Sequence, residues 1–381
     1  MGIVVDREAF LNSLSLVQGI VERRNTVPIL GHVLIEPVDG SIKLSATDLE
    51  VGISTEVACK SAGDKSLTLN ARKLFEIVRE TESEQVSIAP LEKDWIELKC
   101  GRARFKMMGL DPRSFPAMPS QSARKGTEAA PKRGGVKVSL TIAAGVLAGM
   151  IDKTIFAVSP DEARYNLSGV YLEACEPGKA RMVATDGHRL SMIDRQVSGF
   201  AMEGGVIIPR KGLGELRKLL DQGGDAEVTL LLDGQLASLK RGATEVSMRL
   251  VEGEFPDYRG VIPKQSKYTI TVKRDELLAA IKRAEIFSNE RYHGVKLALA
   301  SGTLTISSTS PEMGEATETL DVDYSGDEFA IGFNASYILQ VLGVIPPETD
   351  VTLGLSDEVS PGVIQTPSDT AFTYVVMPMR L

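Results

Sequence analysis

Three stretches of the chain carry helix-type apolar spacing, and each opens a block of similar pattern. They are DREAFLNSLSLVQGI from Asp6, TIAAGVLAGMIDKTIF from Thr141 and KRDELLAAIKRAEIF from Lys273. In the third, Leu277, Leu278, Ile281 and Ala284 fall at i, i+1, i+4 and i+7, the apolar stripe of a helix. Lys273, Arg274, Lys282 and Arg283 lie outside that stripe. Next in each block comes a β-type run entering a polar turn: LSATDLEVGIS (44–54), MVATDGHRLSMI (182–193) and, more weakly, ISSTSPEMGEA (306–316). An extended run then leads into a further helix, in LNARKLFEIVRE (69–80), PRKGLGELRKLL from Pro209 and GFNASYILQVLGV (332–344). Asn70 and Asn334 stand where N-caps are expected. The last recurrence is a strand with an exit: RARFKMMGLDPRSFPAMP (102–119), ATEVSMRLVEGEFPDYRGVIP (243–263) and DTAFTYVVMPMRL (369–381). The first two hold Phe115-Pro116 and Phe255-Pro256, followed by a second proline.

A repeat this long is a whole domain, not a solenoid unit. The pattern predicts an α+β protein of three like domains, each with about two helices and several short strands, over residues 1–119, 136–264 and 265–381. Residues 120–135, SQSARKGTEAAPKRGG, have no apolar period and read as a linker. A length of 381 residues agrees with two or three domains.

The 43% apolar and 25% charged content is that of a globular chain, with no apolar run near the ~18 residues that span a bilayer. MGIVVDREAF has neither the basic nor the apolar region of a secretory signal. Cys59, Cys100 and Cys175 are odd in number and far apart, so the expected compartment is the reducing cytoplasm. His32, His188 and His293 are the only histidines, and no metal spacing or cofactor motif is present. The net charge of −8 argues against a nucleic-acid binder, unless the charge is unevenly placed. Arg23-Arg24, Arg72-Lys73, Arg210-Lys211, Lys273-Arg274 and Lys282-Arg283 fall at or within the helical segments. Each pair alone reads as a solvated helix face. Repeated on equivalent helices, the pairs would converge on a surface that takes phosphates without reading bases. Glu312, Glu315 and Glu318 lie in an acidic stretch that could oppose Arg102, Arg104 and Lys106 of another copy.

In ATDGHRL (184–190), Asp186 and His188 suggest acid/base chemistry. The first block has ATDLEVG there, without the histidine, which favours turn chemistry and a binding surface. No phosphate loop, nucleophile elbow or zinc site accompanies them, so no catalytic residue is expected.

TVPILGHVLIE (26–36), ATDLE (46–50), ATDGHRL, VIIPRKG (206–212), FPDYRGVIP (255–263), YSGDEFAIGFNASYIL (324–339) and the final YVVMPMRL occur in the order found in the bacterial DNA polymerase III beta subunits, the sliding clamps. The chain resembles that family along essentially its whole length. The resemblance implies a DNA clamp fold, with two helices and antiparallel sheets in each of the three domains, and a ring-shaped head-to-tail homodimer around duplex DNA. Such a ring is a non-catalytic processivity factor without metal or cofactor. DNA contacts are implied for Arg24, Arg72, Lys73, Arg164, Tyr165, Arg210 and Lys211. Asn166 stands where many relatives have a second Tyr, and Gly260 where some carry Arg. The dimer interface is implied to set Phe105 and Met107 against Ile286 and Phe287, with Arg102 and Arg104 opposing Glu312 and Glu315. A partner-peptide pocket is implied for Leu167, Thr185, Gly187, His188, Arg189, Leu190, Pro256, Val261, Pro361, Val375, Val376, Met377, Pro378, Met379 and Arg380. Its clients would be short peptides with Gln, Leu and Phe anchors. They would come from the replicative polymerase alpha subunit, the clamp-loader delta subunit, translesion and repair polymerases and mismatch-repair proteins. A membrane partner is not expected. Two other readings remain: a peptide-binding scaffold that does not encircle DNA, and an acid/base enzyme using Asp186 and His188.

Overall fold

The computed structural model describes residues 2–21, 27–119, 137–161, 163–221, 224–289 and 291–380. The expected linker 120–135 and Arg24 lie outside the described residues.

In the first repeat β1 (Ile3–Asp6) runs straight into α1 (Arg7–Val17). Asp6 caps that helix, its carboxylate accepting the Ala9 N–H at 2.9 Å. Phe10, Leu14 and Val17 recur at i, i+4 and i+7 and are fully buried, each worth about 1.5–3 kcal/mol of apolar burial. Next come β2 (His32–Val38), β3 (Ser41–Thr47), β4 (Val51–Ala62) and β5 (Leu67–Asn70). They lead to α2 (Ala71–Arg79), β6 (Gln85–Pro90), β7 (Trp95–Cys100) and β8 (Ala103–Met108).

The second repeat holds β9 (Val138–Ala143), α3 (Ala144–Asp152), β10 (Gly169–Glu176), β11 (Lys179–Thr185) and β12 (Arg189–Gln196). It continues through β13 (Gly205–Pro209), α4 (Arg210–Leu220), β14 (Glu227–Asp233), β15 (Leu236–Arg241) and β16 (Thr244–Arg249). The third holds β17 (Tyr268–Lys273), α5 (Arg274–Glu285), β18 (Gly294–Ala300), β19 (Thr303–Ser310) and β20 (Gly314–Asp321). It ends with β21 (Phe329–Asn334), α6 (Ala335–Val344), β22 (Asp350–Leu355), β23 (Gly362–Thr366) and β24 (Asp369–Val376). One order serves all three: strand, helix, four strands, helix, three strands. The class is α+β, and every strand pairing among the described residues is antiparallel.

The chain packs as two compact units, residues 1–147 with 211–250, and residues 148–210 with 251–381. The central repeat is divided between them because sheets run on from one repeat into the next. In the first unit one sheet of twelve strands joins repeats one and two, where β4 pairs with β16 from Val51↔Met248 to Thr55↔Thr244. In the second unit an eight-stranded sheet joins repeats two and three, where β12 pairs with β24 from Arg189↔Val376 to Ile193↔Phe372. That unit also has a four-stranded sheet ordered β20-β19-β18-β21.

Two local expectations need correction. In α5 the buried stripe is Leu277, Ala280, Ile281 and Ala284, and Leu278 is only half-buried. That is the i, i+3, i+4, i+7 face that points one way on a 3.6-residue helix. Asn70 caps α2, its side chain accepting the Lys73 N–H at 3.0 Å. Asn334 stands at the equivalent place before α6 but makes no side-chain cap, and its Oδ1 is buried without a partner. It is the last residue of β21, held opposite Gly294 by the strand register.

Candidate functional site

The ATD turn between β11 and β12 is built from its own short side chains. Asp186 Oδ1 accepts the N–H groups of His188 (2.9 Å) and Arg189 (3.1 Å). Thr185 Oγ1 accepts the Gly187 N–H (3.1 Å) and donates to the Arg189 carbonyl (2.6 Å). Gly187 sits at φ +88°, where a side chain is strained. The first repeat makes the same turn with Asp48, accepting from Glu50 (3.0 Å) and Val51 (2.7 Å), and there Leu49 occupies the φ +84° position. Asp186 is 7% exposed, and its second oxygen accepts from Arg189 Nε at 3.0 Å. Both oxygens are therefore committed to structure, which leaves the acid/base reading without a base.

Arg189 is buried and organises three elements. Its Nη1 donates to Gln340 Oε1 (2.6 Å) on α6 and its Nη2 to the Phe156 carbonyl (2.7 Å). Its guanidinium lies over the Tyr337 ring at 4.5 Å. Tyr337 also stacks on His188, with centroids 6.5 Å apart. Tyr337, Gln340 and Phe156 are thus parts of this site that the sequence reading missed. Only the i, i+3 spacing of Tyr337 and Gln340 on one helix face could have suggested them.

Met377 N–H donates to the His188 carbonyl (2.8 Å), and Met379 N–H to the Gly332 carbonyl (2.9 Å), so the terminal segment is fastened beside the turn. Gly187, His188, Pro256, Val261, Met377 and Arg380 are exposed here, and Pro361, Pro378 and Met379 are half-buried. Thr185, Leu167 and Leu190 are buried. Val375 and Val376, at 1% exposure, belong to the buried interior of β24. Val183, Leu190, Met192, Tyr258 and Val375 form one buried cluster, with Tyr171, Phe255 and Ile262 packed against it. At Gly260 a Cβ would meet no atom within 4 Å, so a side chain there would have open space.

The expected phosphate contacts are placed unevenly. Tyr165 is 63% exposed, and Arg164 and Arg210 are exposed in the same unit. Arg164 bonds Asp161 through Nε (3.2 Å) and the Asp186 carbonyl through Nη1 (3.2 Å). In the other unit Arg72 and Lys73 share Glu76 at 3.4 and 2.8 Å, and Lys211 is ion-paired with Asp48. Gly212 beside it is a packing glycine, since a Cβ there would fall 2.2 Å from Met248 Sδ. Among the remaining basic residues, Lys273 pairs with Asp350 (2.7 Å) and Arg283 with Glu318 (2.7 Å). Arg274 Nε donates to the Leu342 carbonyl (2.8 Å).

Phe105, Met107, Arg104 and Glu315 of the expected interface lie on two edge strands, and Arg102, Glu312, Ile286 and Phe287 lie outside those strands. β8 ends its sheet, with Phe105 and Met107 half-buried on one face and Arg104 and Lys106 exposed on the other. A recess of about 600 Å³ adjoins Phe105, lined also by Ile77, Cys100, Ala103, Lys73 and Glu76. β20 ends the four-stranded sheet and exposes Glu315, with Glu312 exposed in the turn before it. Ile286, just past α5, is 63% exposed, and Phe287 is half-buried. Glu318 is held within the chain by Arg283, at 2.7 and 2.8 Å. Among the described residues no cluster of His, Cys, Asp or Glu could hold a metal, and no helix is long and apolar enough to cross a membrane.

Three like domains joined through continuous sheets define a clamp-type subunit. Residues 1–119, 141–257 and 259–380 match the models of the DNA polymerase III beta subunit N-terminal, central and C-terminal domains. The chain is similar to the beta sliding clamps of Pseudomonas aeruginosa (37% identity) and Caulobacter vibrioides (35%), each comparison covering the whole of both chains. It is also similar to a crystal structure of the Pseudomonas aeruginosa sliding clamp bound to griselimycin, at 37% identity and a TM-score of 0.88 over both full chains. The chain belongs to the DNA polymerase III beta subunit family, the bacterial sliding clamps. It is a non-catalytic processivity subunit of the replicative polymerase.

Proposed function

We propose that two copies of this chain close head to tail into a ring that encircles duplex DNA. The observation that carries this reading is the fate of equivalent strands. The strand after the ATD turn of one repeat pairs with the last strand of the next, β4 with β16 and β12 with β24. By the same rule β20 calls for the last strand of a following repeat, and the first repeat's β8 lies at an open edge. Each is met by a second copy, and two such contacts close the assembly. Arg102, Arg104 and Lys106 then oppose Glu312 and Glu315, while Ile286 and Phe287 enter the recess beside Phe105 and Met107. The repeat boundaries at 1–119, 136–264 and 265–381 are the domains of that ring.

Arg24, Arg72, Lys73, Arg164, Tyr165, Arg210 and Lys211 face the DNA and make weak phosphate contacts. Topology does the holding, so weak contacts permit sliding. The surface around His188, Val261 and Met377 takes client peptides with Gln, Leu and Phe anchors. Its methionines adapt to different anchors. The clients are the polymerase alpha subunit, the clamp-loader delta subunit, translesion and repair polymerases and mismatch-repair factors, all met in the cytoplasm. The test is retention on DNA. After loading onto a nicked circle, the protein stays bound through gel filtration and is lost when the circle is cut. Equal loss from intact and cut circles excludes encirclement and leaves the scaffold reading.

A further inference from the structure

The connector that follows β16 presents Pro256 and Val261 to the surface, and beyond its bridge from Val251 to Ile207 its regular structure is one short turn at Arg259–Val261. Such a segment needs fastening if the two side chains are to keep their places. Asn166 Nδ2 donates to the Glu254 carbonyl (3.1 Å), and Phe255 stacks on Tyr171 with centroids 4.8 Å apart. The third fastening is unlike the others. Tyr258, 3% exposed, sends its hydroxyl between two sets of charges. The hydroxyl donates to Glu173 and accepts from Arg181 Nη1 (3.2 Å). Glu173 is also held by Arg259 Nη2, at 2.8 Å to each oxygen. Arg181 makes a two-pronged pair with Asp194, at 2.6 and 2.8 Å, and Lys179 joins Asp194 at 3.3 Å. Glu173 stands on β10, Lys179 and Arg181 on β11 and Asp194 on β12, while Arg259 belongs to the connector itself. Burial, and then the bond to Glu173, push the Tyr258 hydroxyl up to about 12, so it stays protonated and able to donate.

The geometry points to Tyr258 as a positioning residue for client binding: its hydroxyl, bridging Glu173 and Arg181, sets the place of Val261 on the client surface. The link to Val261 is direct, because the Val261 N–H donates to the Tyr258 carbonyl at 3.2 Å. A buried network of this kind fixes one arrangement when every member is satisfied and loses it when one is removed. The role rests on the client-surface reading given above. It does not require Tyr258 to touch the client.

The experiment is a fluorescence-polarisation titration of a labelled peptide carrying Gln, Leu and Phe anchors against the full dimeric protein. Tyr258→Phe deletes one hydroxyl and keeps the ring. It is expected to weaken binding about tenfold, the scale of one charge-assisted hydrogen bond. Dimer mass by light scattering is expected to stay unchanged. Val261→Ala supplies the readout that a purely structural role would not move. If Tyr258 acts through Val261, adding Tyr258→Phe to Val261→Ala costs little more than Val261→Ala alone. Should Tyr258→Phe fold poorly by circular dichroism, Glu173→Gln, which removes the charged acceptor, takes its place with the same expectation. Wild-type affinity in the single variant, or losses that add in full in the double variant, overturns the proposal while the client surface stands. Failure of the wild-type protein to bind the peptide, or of Val261→Ala to weaken it, removes the client surface itself and the proposal with it.

Discussion

Asp186 and Asp48 show what one residue position can settle. The sequence offered Asp186 as a candidate acid or base, and the missing histidine in the first repeat argued for a turn. The hydrogen bonds of both aspartates to their own turns give the physical reason. The residue after each aspartate lies in the left-handed region, as glycine in one turn and leucine in the other. A leucine there is strained by about 1–2 kcal/mol, against about 0.5–1 kcal/mol for the extra chain entropy of glycine. Leu49→Gly is therefore expected to raise stability by roughly 0.5–1 kcal/mol in urea denaturation. Gly187→Leu is expected to lower it by a similar amount and to weaken peptide binding, since His188 follows directly. His188→Ala should weaken peptide binding and leave dimer mass unchanged, because its ring stacks on Tyr337 and takes no part in either sheet edge. The partners of Arg189 were not legible, since Phe156 and Gln340 lie far from it along the chain and only tertiary packing brings them together.

At the scale of elements, the strand pairing of β12 with β24 is reinforced by charges. Asp369 accepts from Arg195 at 3.1 and 2.6 Å and from Lys153. Burial alone would push its carboxyl up, but the bonds from Arg195 and Lys153 outweigh it and hold the carboxyl below its ordinary value. A carboxyl lowered in the folded state stabilises above its unfolded value, about 3.9, and loses that contribution as pH falls through the lower folded value. Asp369→Asn should then cost roughly 1.5–3 kcal/mol near neutral pH, the range of hydrogen bonds to a charged group. Measured by urea midpoints, the difference from wild type should shrink steadily below about pH 4. The terminal segment is a second case. Its apolar character and its place in the repeat were legible, but the burial of Val375 and Val376 inside β24 followed only from the register with Leu190 and Arg189. Since β24 ends at Val376, deleting Met377 to Leu381 should abolish peptide binding while light scattering still finds a dimer. A truncated protein that runs as a monomer would show that the tail belongs to the fold.

For the whole molecule, the threefold order of helices and strands was legible because apolar period and turn residues recur with the elements they encode. The continuity of sheets between repeats was not, because strand pairing across junctions leaves no local mark in the chain. That continuity leads to the last prediction. In the proposed ring, client surface and the β8 edge are separable, since β8 lies in the other compact unit from the groups around His188. Phe105→Glu adds a carboxylate beside a recess that Glu76, Glu80 and Glu82 already line together with Ile77, Cys100 and Ala103. If Ile286 and Phe287 of a second copy fill that recess, an unpaired charge in the contact costs several kcal/mol. The substituted protein should then elute at monomer mass and leave circular DNA as readily as linear DNA. Its affinity for client peptide should stay within about twofold of wild type, because no residue of the peptide surface is shared with the edge. A dimer that survives the substitution would place the contact elsewhere than at β8. Loss of peptide binding in a folded monomer would mean that the client surface depends on the ring.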